Sequence, residues 1–248
     1  MKRVGIIGCG AIGTVIAKAV DEGIVKCDEL VLYDSNHEKA ESLRKSLSVD
    51  VEVVRSLEEM LRIKPSVIVE AASQQAVKEY VPRILAENVE LIVMSAGALL
   101  EMDVRSRRIH VPSGAIGGLD AVSSAALAGI EEITLTTRKN PKTLDSKNDR
   151  EKIAYDGYAE EAVRLFSREM NVAATLALAV RPKKVKVKVI ADPKVNRNIH
   201  EVKVVWKHGD ILLRFENDPY PDNPKTSALA AWSAIELLRR LLEETPFC

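Results

Sequence analysis

The chain has 248 residues, of which 46% are hydrophobic and 29% charged. At roughly 150 residues per domain, that length holds one large domain or two modest ones, and the composition excludes a disordered tail protein. Thirty-six lysines and arginines balance thirty-six aspartates and glutamates, so the basic excess of a dedicated nucleic-acid binder is missing and no nucleic-acid partner is expected.

No run reaches the ~18 apolar residues of a membrane span. Met1-Lys2-Arg3-Val4-Gly5 leads straight into a short strand, without the longer apolar core of a signal peptide, so a cytoplasmic protein with no membrane partner is expected. Cys9, Cys27 and Cys248 are widely spaced and form no CxxC pair, which argues against a disulfide framework or a zinc site. No metal-ligand cluster is evident, and hydride-transfer chemistry needs none. Glutamine occurs only at Gln74 and Gln75. With a charge fraction above the usual ~25%, this leans toward a thermophile.

The first hundred residues alternate apolar strand runs with helical patterns. Strands are predicted at Val4 to Ile7, Leu30 to Tyr33, Val51 to Val54, Val67 to Val69 and Leu91 to Met94. Helices are predicted between them at Ala11 to Val20, Glu38 to Ser46, Leu57 to Arg62 and Ala76 to Ala86. Continuous apolar strands alternating with helices indicate a parallel sheet covered on both faces. After His110 the pattern changes. Val111 to Gly118 is rich in Gly and Pro and reads as a shaped loop, followed by a helix from Leu119 to Ala128 and a strand from Ile133 to Arg138. Lys139 to Arg150 is polar and reads as a mobile loop. Helices follow near Ala159 to Phe166 and Val172 to Ala179. In Lys184 to Val189, valines and lysines alternate with period two, which marks a sheet with one buried face and one wet or interface face. His200 to Trp206 and Ile211 to Phe215 are two more such strands. Asp222-Asn223-Pro224 is expected to start an amphipathic helix running from Thr226 to about Leu242.

Gly8-Cys9-Gly10-Ala11-Ile12-Gly13 fits GxGxxG, follows a predicted strand and opens a helix. The first glycine permits the tight turn, the second lets a pyrophosphate approach the backbone, and the third lets helix and strand pack closely. Free N–H groups at the helix start, Ala11 and Ile12 among them, would then hold the diphosphate. Asp34 ends the second strand about 20 residues further on, where an acid hydrogen-bonds the adenosine ribose and repels a 2′-phosphate, so NAD is favoured over NADP. The alternative is that Asp34 only caps the next helix. Glu70-Ala71-Ala72-Ser73 and Ser95-Ala96-Gly97-Ala98 end later strands. Small residues there, Ala72, Ser95 and Ala96 in particular, either line the ligand crevice of an α/β sheet or simply pack closely. Cys9 has no base beside it in sequence and reads as a small filler.

Six segments together resemble the L-aspartate dehydrogenase family of small archaeal and bacterial enzymes. They are GCGAIG at Gly8 to Gly13, SAGAL at Ser95 to Leu99, VPSGAIGGLDA at Val111 to Ala121, NVAATLALA at Asn171 to Ala179, DPKVNRNIHEV at Asp192 to Val202, and NPKTSALAAWS at Asn223 to Ser233. The resemblance runs nearly end to end, and the segments around Pro112 and His200 are far more distinctive than the glycine motif. It implies oxidation of L-aspartate to iminoaspartate with NAD(P)+. The product then feeds NAD biosynthesis, by hand-off to a quinolinate-forming enzyme, or hydrolyses to oxaloacetate and ammonia. It also implies a homodimer, with the catalytic histidine at His200 and further NAD contacts at Ala115 and Asn171. The polar loop from Lys139 to Arg150 is shorter than in bacterial members. The expected architecture is α/β: a Rossmann dinucleotide-binding domain over residues 1–109, a smaller α+β catalytic and dimerisation domain over 110–221, and a C-terminal helix, 222–248, returning to the first domain.

On a strand from His200, the residues Val202, Val204 and Trp206 share its face, so the imidazole is expected to point inward. An imidazole titrates near neutrality and can shuttle the protons that imine formation and hydrolysis require. On the residues alone, a satisfied core histidine remains the simpler reading. His37, His110 and His208 lie in polar or turn sequence and read as structural or exposed. A dicarboxylate needs cations or backbone donors. Lys225 and Thr226, at the expected helix start, are either a carboxylate site or solvated surface. Arg138, Arg197 and Asn198 are further candidates. Ser113, Gly114 and Gly117 either present backbone N–H groups or form a tight turn. Two other readings stay open: a homoserine-dehydrogenase-like or dihydrodipicolinate-reductase-like oxidoreductase, and an NAD-sensing module without turnover.

Overall fold

The computed structural model describes residues 2–144, 149–166, 170–220 and 223–243. Backbone proximity divides the chain into two units, Met1–Pro112 with Ala231–Cys248, and Ser113–Ala230.

In the first unit, strands β1 (Arg3–Ile7), β2 (Glu29–Tyr33), β3 (Val51–Val53), β4 (Val67–Glu70), β5 (Glu90–Val93) and β6 (Ile109–His110) form one sheet in the order β3-β2-β1-β4-β5-β6. Every pairing is parallel. Helices α1 (Ala11–Asp21), α2 (His37–Arg44), α3 (Leu57–Arg62) and α4 (Gln74–Ala86) connect the strands. This is the doubly wound dinucleotide-binding order, and it reverses between β1 and β4, where such sheets open their ligand crevice. The apolar runs explain the arrangement. Val4, Ile6, Leu30, Leu32, Ile68 and Leu91 are all fully buried, as a sheet covered on both faces requires. Side chains of Asn36, Ser56 and Ser73 accept hydrogen bonds from the first-turn N–H groups of Glu38, Glu59 and Ala76, and so fix where α2, α3 and α4 begin.

In the second unit, β7 (Ile130–Lys139), β8 (Lys152–Tyr158), β9 (Lys186–Ala191), β10 (Asn198–Trp206) and β11 (Gly209–Asn217) form a mixed sheet in the order β11-β10-β7-β9-β8. Only β7 and β9 run parallel. Helices α5 (Leu119–Ala128), α6 (Ala159–Leu165) and α7 (Asn171–Val180) pack together, with α5 against β10 and β7 and α6 against β9 and β8. The period-two pattern is realised: Val185, Val187 and Val189 are buried while Lys184 and Lys186 are exposed.

Three local expectations change. The sequence marked no strand at 152–158, yet β8 forms there as an edge strand with an irregularity between Ile153 and Tyr155 that breaks its alternation. The stretch expected as a mobile loop from Lys139 instead begins with the buried last residue of β7 and a 3₁₀ turn at Pro141–Leu144; positions 145–148 lie outside the described residues. The C-terminal helix starts at Ala228, two residues after the expected Thr226. Before it, β12 (Pro219–Tyr220) pairs with β13 (Asn223–Ser227), and helix α8 (Ala228–Glu243) follows. The physical reason is the pairing of Ser227 with Pro219 and of Asn223 with Tyr220, which holds this segment extended. From Ala231 onward α8 groups with the first unit, burying Ile235, Leu238 and Leu242, and Lys2 Nζ donates to the carbonyl of Leu242 at 2.5 Å.

Candidate active site

The glycine loop follows β1. Gly8 has φ +97°, and a Cβ there would come within 2.7 Å of the carbonyl oxygen of Ala71. A Cβ on Gly13 would collide with the carbonyl of Gly8. Gly10, in contrast, has nothing within 4 Å of its Cβ position and is exposed. Two glycines are therefore demanded by packing, and the middle one leaves open room at the start of α1. Gly10 caps that helix without any side-chain hydrogen bond. Such a start offers its N–H groups and positive dipole end to an anion, so the loop fits a bound diphosphate. Ala11 and Ile12 are half-buried on the first turn.

Asp34 ties this loop to the end of β2. Its Oδ2 accepts from the N–H of Cys9 at 2.8 Å and its Oδ1 from the N–H of Asn36 at 2.8 Å. The carboxylate is thus held beside the loop with further lone pairs on each oxygen. The Cys9 thiol is pushed up to about 12 by burial, with the Asp34 charge adding to the effect, so it is no nucleophile at neutral pH.

Glu70, at the end of β4, is the residue that sequence reasoning missed. It is 1% exposed. Its Oε1 accepts from the N–H groups of Ala72 and Ser73 at 2.8 and 2.9 Å and from Ser95 Oγ at 2.9 Å, while Oε2 accepts from the N–H of Ser95 at 3.0 Å. Burial raises its pKa, against the pull of these donors. One carboxylate therefore fixes the two strand-end turns that carry Ala72, Ser95 and Ala96. The signal was present as a glutamate closing the apolar run Val67-Ile68-Val69.

In the second unit, the buried face of the β7–β10 pair changes character along its length. On β7 it reads Ile133, Leu135, Thr137, Lys139, and on β10, running the other way, Val204, Val202, His200, Asn198. Thr137 and His200 are direct partners in the antiparallel register. Thr137 Oγ1 lies 3.0 Å from His200 Nδ1. His200 is 4% exposed, and burial together with the Lys139 charge pushes its pKa down to about 3. The ring is neutral at physiological pH. Asn198 Nδ2 donates to Ser227 Oγ at 3.3 Å, and both are buried. Polar side chains on an otherwise apolar sheet face are costly unless they serve one another or a ligand. Asn171, at the start of α7, has a buried Oδ1 with no hydrogen-bond partner among the described residues, an acceptor that suits a ligand donor.

The loop before α5 packs on β11. Gly114 has φ +71°, and Ala115 is buried with its carbonyl accepting from Asn217 Nδ2 at 2.8 Å. Ser113 is half-buried. Lys225 and Thr226 lie on extended backbone in β13, so the helix-start argument for them falls; their side chains lie outside the described residues. Arg138 is neutralised by Glu151 and Asp192 at 2.6 and 2.7 Å. Arg197 pairs with Asp218 at 2.8 Å on the surface. His37 lies on α2 with Nε2 3.8 Å from Glu41, His110 Nε2 meets Glu90 at 2.7 Å, and His208 stacks edge-on with Trp206, which leaves His200 as the histidine at the polar end of the sheet. Among the described residues no group of three or more His, Cys, Asp or Glu side chains is placed to hold a metal, and no helix is long and apolar enough to cross a membrane.

The sequence is 40% identical to the L-aspartate dehydrogenase of Methanosarcina mazei over 98% of this chain and 97% of that protein. It is 43% identical to the L-aspartate dehydrogenase of Methanothermobacter thermautotrophicus over the same shares. The chain belongs to the L-aspartate dehydrogenase family. The family pattern described as aspartate dehydrogenase, C-terminal, matches residues 120–241, which include the whole polar end of the second sheet. The pattern described as homoserine dehydrogenase, NAD binding domain, matches residues 8–110 and begins at the first loop glycine. The fold agrees as well. The crystal structure of aspartate dehydrogenase from Thermotoga maritima superimposes with a TM-score of 0.76 at 31% identity, covering 100% of both chains. As a member of the L-aspartate dehydrogenase family, the chain is a pyridine-nucleotide-dependent oxidoreductase.

Proposed function

We propose that the chain oxidises L-aspartate to iminoaspartate, with His200 as the proton-handling group. The observation that carries this is a buried neutral imidazole, fixed by Thr137, at the polar end of an otherwise apolar sheet face. L-Aspartate and NAD+ give iminoaspartate, NADH and a proton. When bound, the nicotinamide takes the hydride from Cα. The glycine loop would hold the diphosphate, Asp34 the adenosine ribose, and the turns organised by Glu70 the rest of the cofactor. Ala115 and Asn171, with its buried Oδ1, belong to the same proposed contact set. Ser113, Gly114 and Asn198 are proposed substrate contacts. A carboxylate on Asp34 supports NAD over NADP.

His200 acts through Nε2. With Nδ1–H donating to Thr137 Oγ1, the other nitrogen keeps its lone pair for the substrate amine. Desolvation and the Lys139 charge keep the imidazole neutral. An arriving dianion opposes that charge and makes the ring a better base at the moment it is needed. The outer face of the second sheet, bearing Thr134, Thr136, Glu201 and Lys203, is the surface on which a homodimer would form. Release of the imine, or its hand-off to a quinolinate-forming enzyme in the cytoplasm, would follow.

The test is reduction of NAD+ with L-aspartate set against the other common amino acids, L-homoserine included. Turnover confined to L-aspartate is expected. Turnover of homoserine instead, or NAD binding without reduction by any amino acid, would overturn the reading.

A further inference from the structure

The loop before α5 runs along the inward face of β11 in a definite register. Leu213, Phe215 and Asn217 alternate on that face, and each meets a different loop position. A Cβ on Gly118 would stand 3.0 Å from Leu213 Cδ1, and one on Gly117 would stand 3.5 Å from the Phe215 ring. Asn217, half-buried, donates from Nδ2 to the Ala115 carbonyl at 2.8 Å. On β10 the same three rungs hold Val202, His200 and Asn198. Direct partners on an antiparallel pair share one face of the sheet. Gly117 therefore rests against the rung partner of His200, and Ala115 is tied to the rung partner of Asn198. Neighbouring strands stand roughly 4.8 Å apart, so this loop passes about one strand spacing to the side of the imidazole.

Glycine gives this loop little conformation of its own. Three of the five residues from Gly114 to Gly118 are glycines, and Gly114 and Gly118 have φ of +71° and +69°. Contact with Leu213 and Phe215 is apolar and non-directional, so it seats the loop without orienting its peptide planes. A hydrogen bond is directional. The Ala115 carbonyl accepts from the NH2 of the Asn217 amide, and that bond fixes the plane of the peptide that joins Ala115 to Ile116. We propose that Asn217 is a positioning residue for the reaction: by holding the Ala115 carbonyl it keeps Ser113, Gly114 and Ala115, the proposed substrate and cofactor contacts, in register with His200. This rests on the proposed aspartate chemistry and adds the residue that ties the binding loop to the base. Asn217 carries no local signal in the sequence, because its partner stands 102 residues away.

The experiment compares wild type with Asn217→Leu, which is similar in size and has no donor, and Asn217→Gln, which keeps the amide. Four quantities are measured: kcat and KM for L-aspartate, the isotope effect with L-aspartate deuterated at Cα, and the dissociation constant of NAD. Losing one neutral hydrogen bond costs about three- to tenfold, and a 1 Å misplacement of reacting groups costs about 100-fold. Asn217→Leu is expected to lower kcat/KM for L-aspartate by about ten- to 100-fold and to raise KM. It should enlarge the isotope effect, because misplaced hydride transfer becomes slower than the other steps, and weaken NAD binding by about three- to tenfold. Asn217→Gln should recover part of each loss. Asn217→Ala replaces the Leu variant if that protein does not fold. An unchanged kcat/KM in a folded variant without the donor would overturn the proposal. So would a fall in kcat alone, with KM, isotope effect and NAD affinity as in wild type, which is the signature of a smaller active fraction. If wild type fails to oxidise L-aspartate, NAD affinity separates the two ideas. Weakening in Asn217→Leu that Asn217→Gln recovers keeps the positioning of the loop while the aspartate reading falls, and equal affinity in all three proteins removes both.

Discussion

Thr137 and His200 face each other across an antiparallel rung, with Oγ1 and Nδ1 3.0 Å apart and both side chains buried. The hydroxyl fixes the ring plane, and in the tautomer whose Nδ1–H donates to it the lone pair stands on Nε2. Thr137→Val keeps the shape and deletes the partner. It is expected to lower kcat with L-aspartate by about three- to tenfold, from the roughly 0.5–1.5 kcal/mol of one neutral hydrogen bond, with NAD affinity unchanged. His200→Ala should cost more, about 100-fold or greater if the ring is the general base. Steady-state kinetics on both variants check this, and equal rates for wild type and His200→Ala would remove the imidazole from the mechanism.

Asp34 predicts cofactor choice. Its carboxylate is held by the N–H groups of Cys9 and Asn36, so its charge is fixed where an adenosine ribose would sit. Asp34→Asn preserves one acceptor oxygen and removes the repulsion of a 2′-phosphate. The ratio of kcat/KM for NAD to that for NADP should fall by about tenfold or more, equivalent to ~1.4 kcal/mol. A ratio that does not move would assign Asp34 to the turn alone.

Glu70 predicts coupling between stability and cofactor binding. Three N–H groups and one hydroxyl converge on its carboxylate. A glutamine offers one oxygen and must aim its NH2 at other donors. Glu70→Gln is expected to cost about 3 kcal/mol, a fall of roughly 6–12 °C in melting temperature for a chain of this size, and to weaken NAD binding because the turns at Ala72 and Ser95 loosen together. Calorimetry and NAD titration of the same preparation test both halves. A variant that melts and binds like wild type would show that the turns hold without the charge.

The first unit was legible because its signals are local. A strand, GxGxxG and a helix in succession define the loop, and buried parallel strands read as unbroken apolar runs such as Leu30-Val31-Leu32. Period two exposed the inward face of β10, and with it the direction of His200. What stayed hidden depends on pairing between distant segments. That Thr137 meets His200, or that Lys139 joins them, follows from strand register, which no local pattern contains. Glu70 was passed over because its partners are N–H groups and a serine on two separate turns. The start of the C-terminal helix was placed two residues early because Asn223-Pro224 resembles a helix opening, whereas pairing of β12 with β13 holds the segment extended.

The buried imidazole sets a pH dependence of stability whose direction is fixed. His200 has its pKa lowered from 6.5 to about 3 by burial, with the Lys139 charge adding to it. The unfolded chain therefore takes up a proton as pH drops below 6.5, while the folded chain does not until about 3. The contribution of this histidine to stability is fully present above the unfolded value and is lost as pH falls through that window. Between pH 7 and 5 the linkage relation gives a loss of about 2 kcal/mol from this one group. His200→Asn retains a hydrogen-bonding group near Thr137 but does not titrate. Its melting temperature should therefore fall less than that of wild type over the same interval, by roughly 4–8 °C. The difference between the two profiles isolates His200 from His37, His110 and His208, which both proteins share. Parallel profiles would mean that the ring takes up its proton in the folded protein as readily as in water, and the neutral base at the end of this sheet would have to be abandoned.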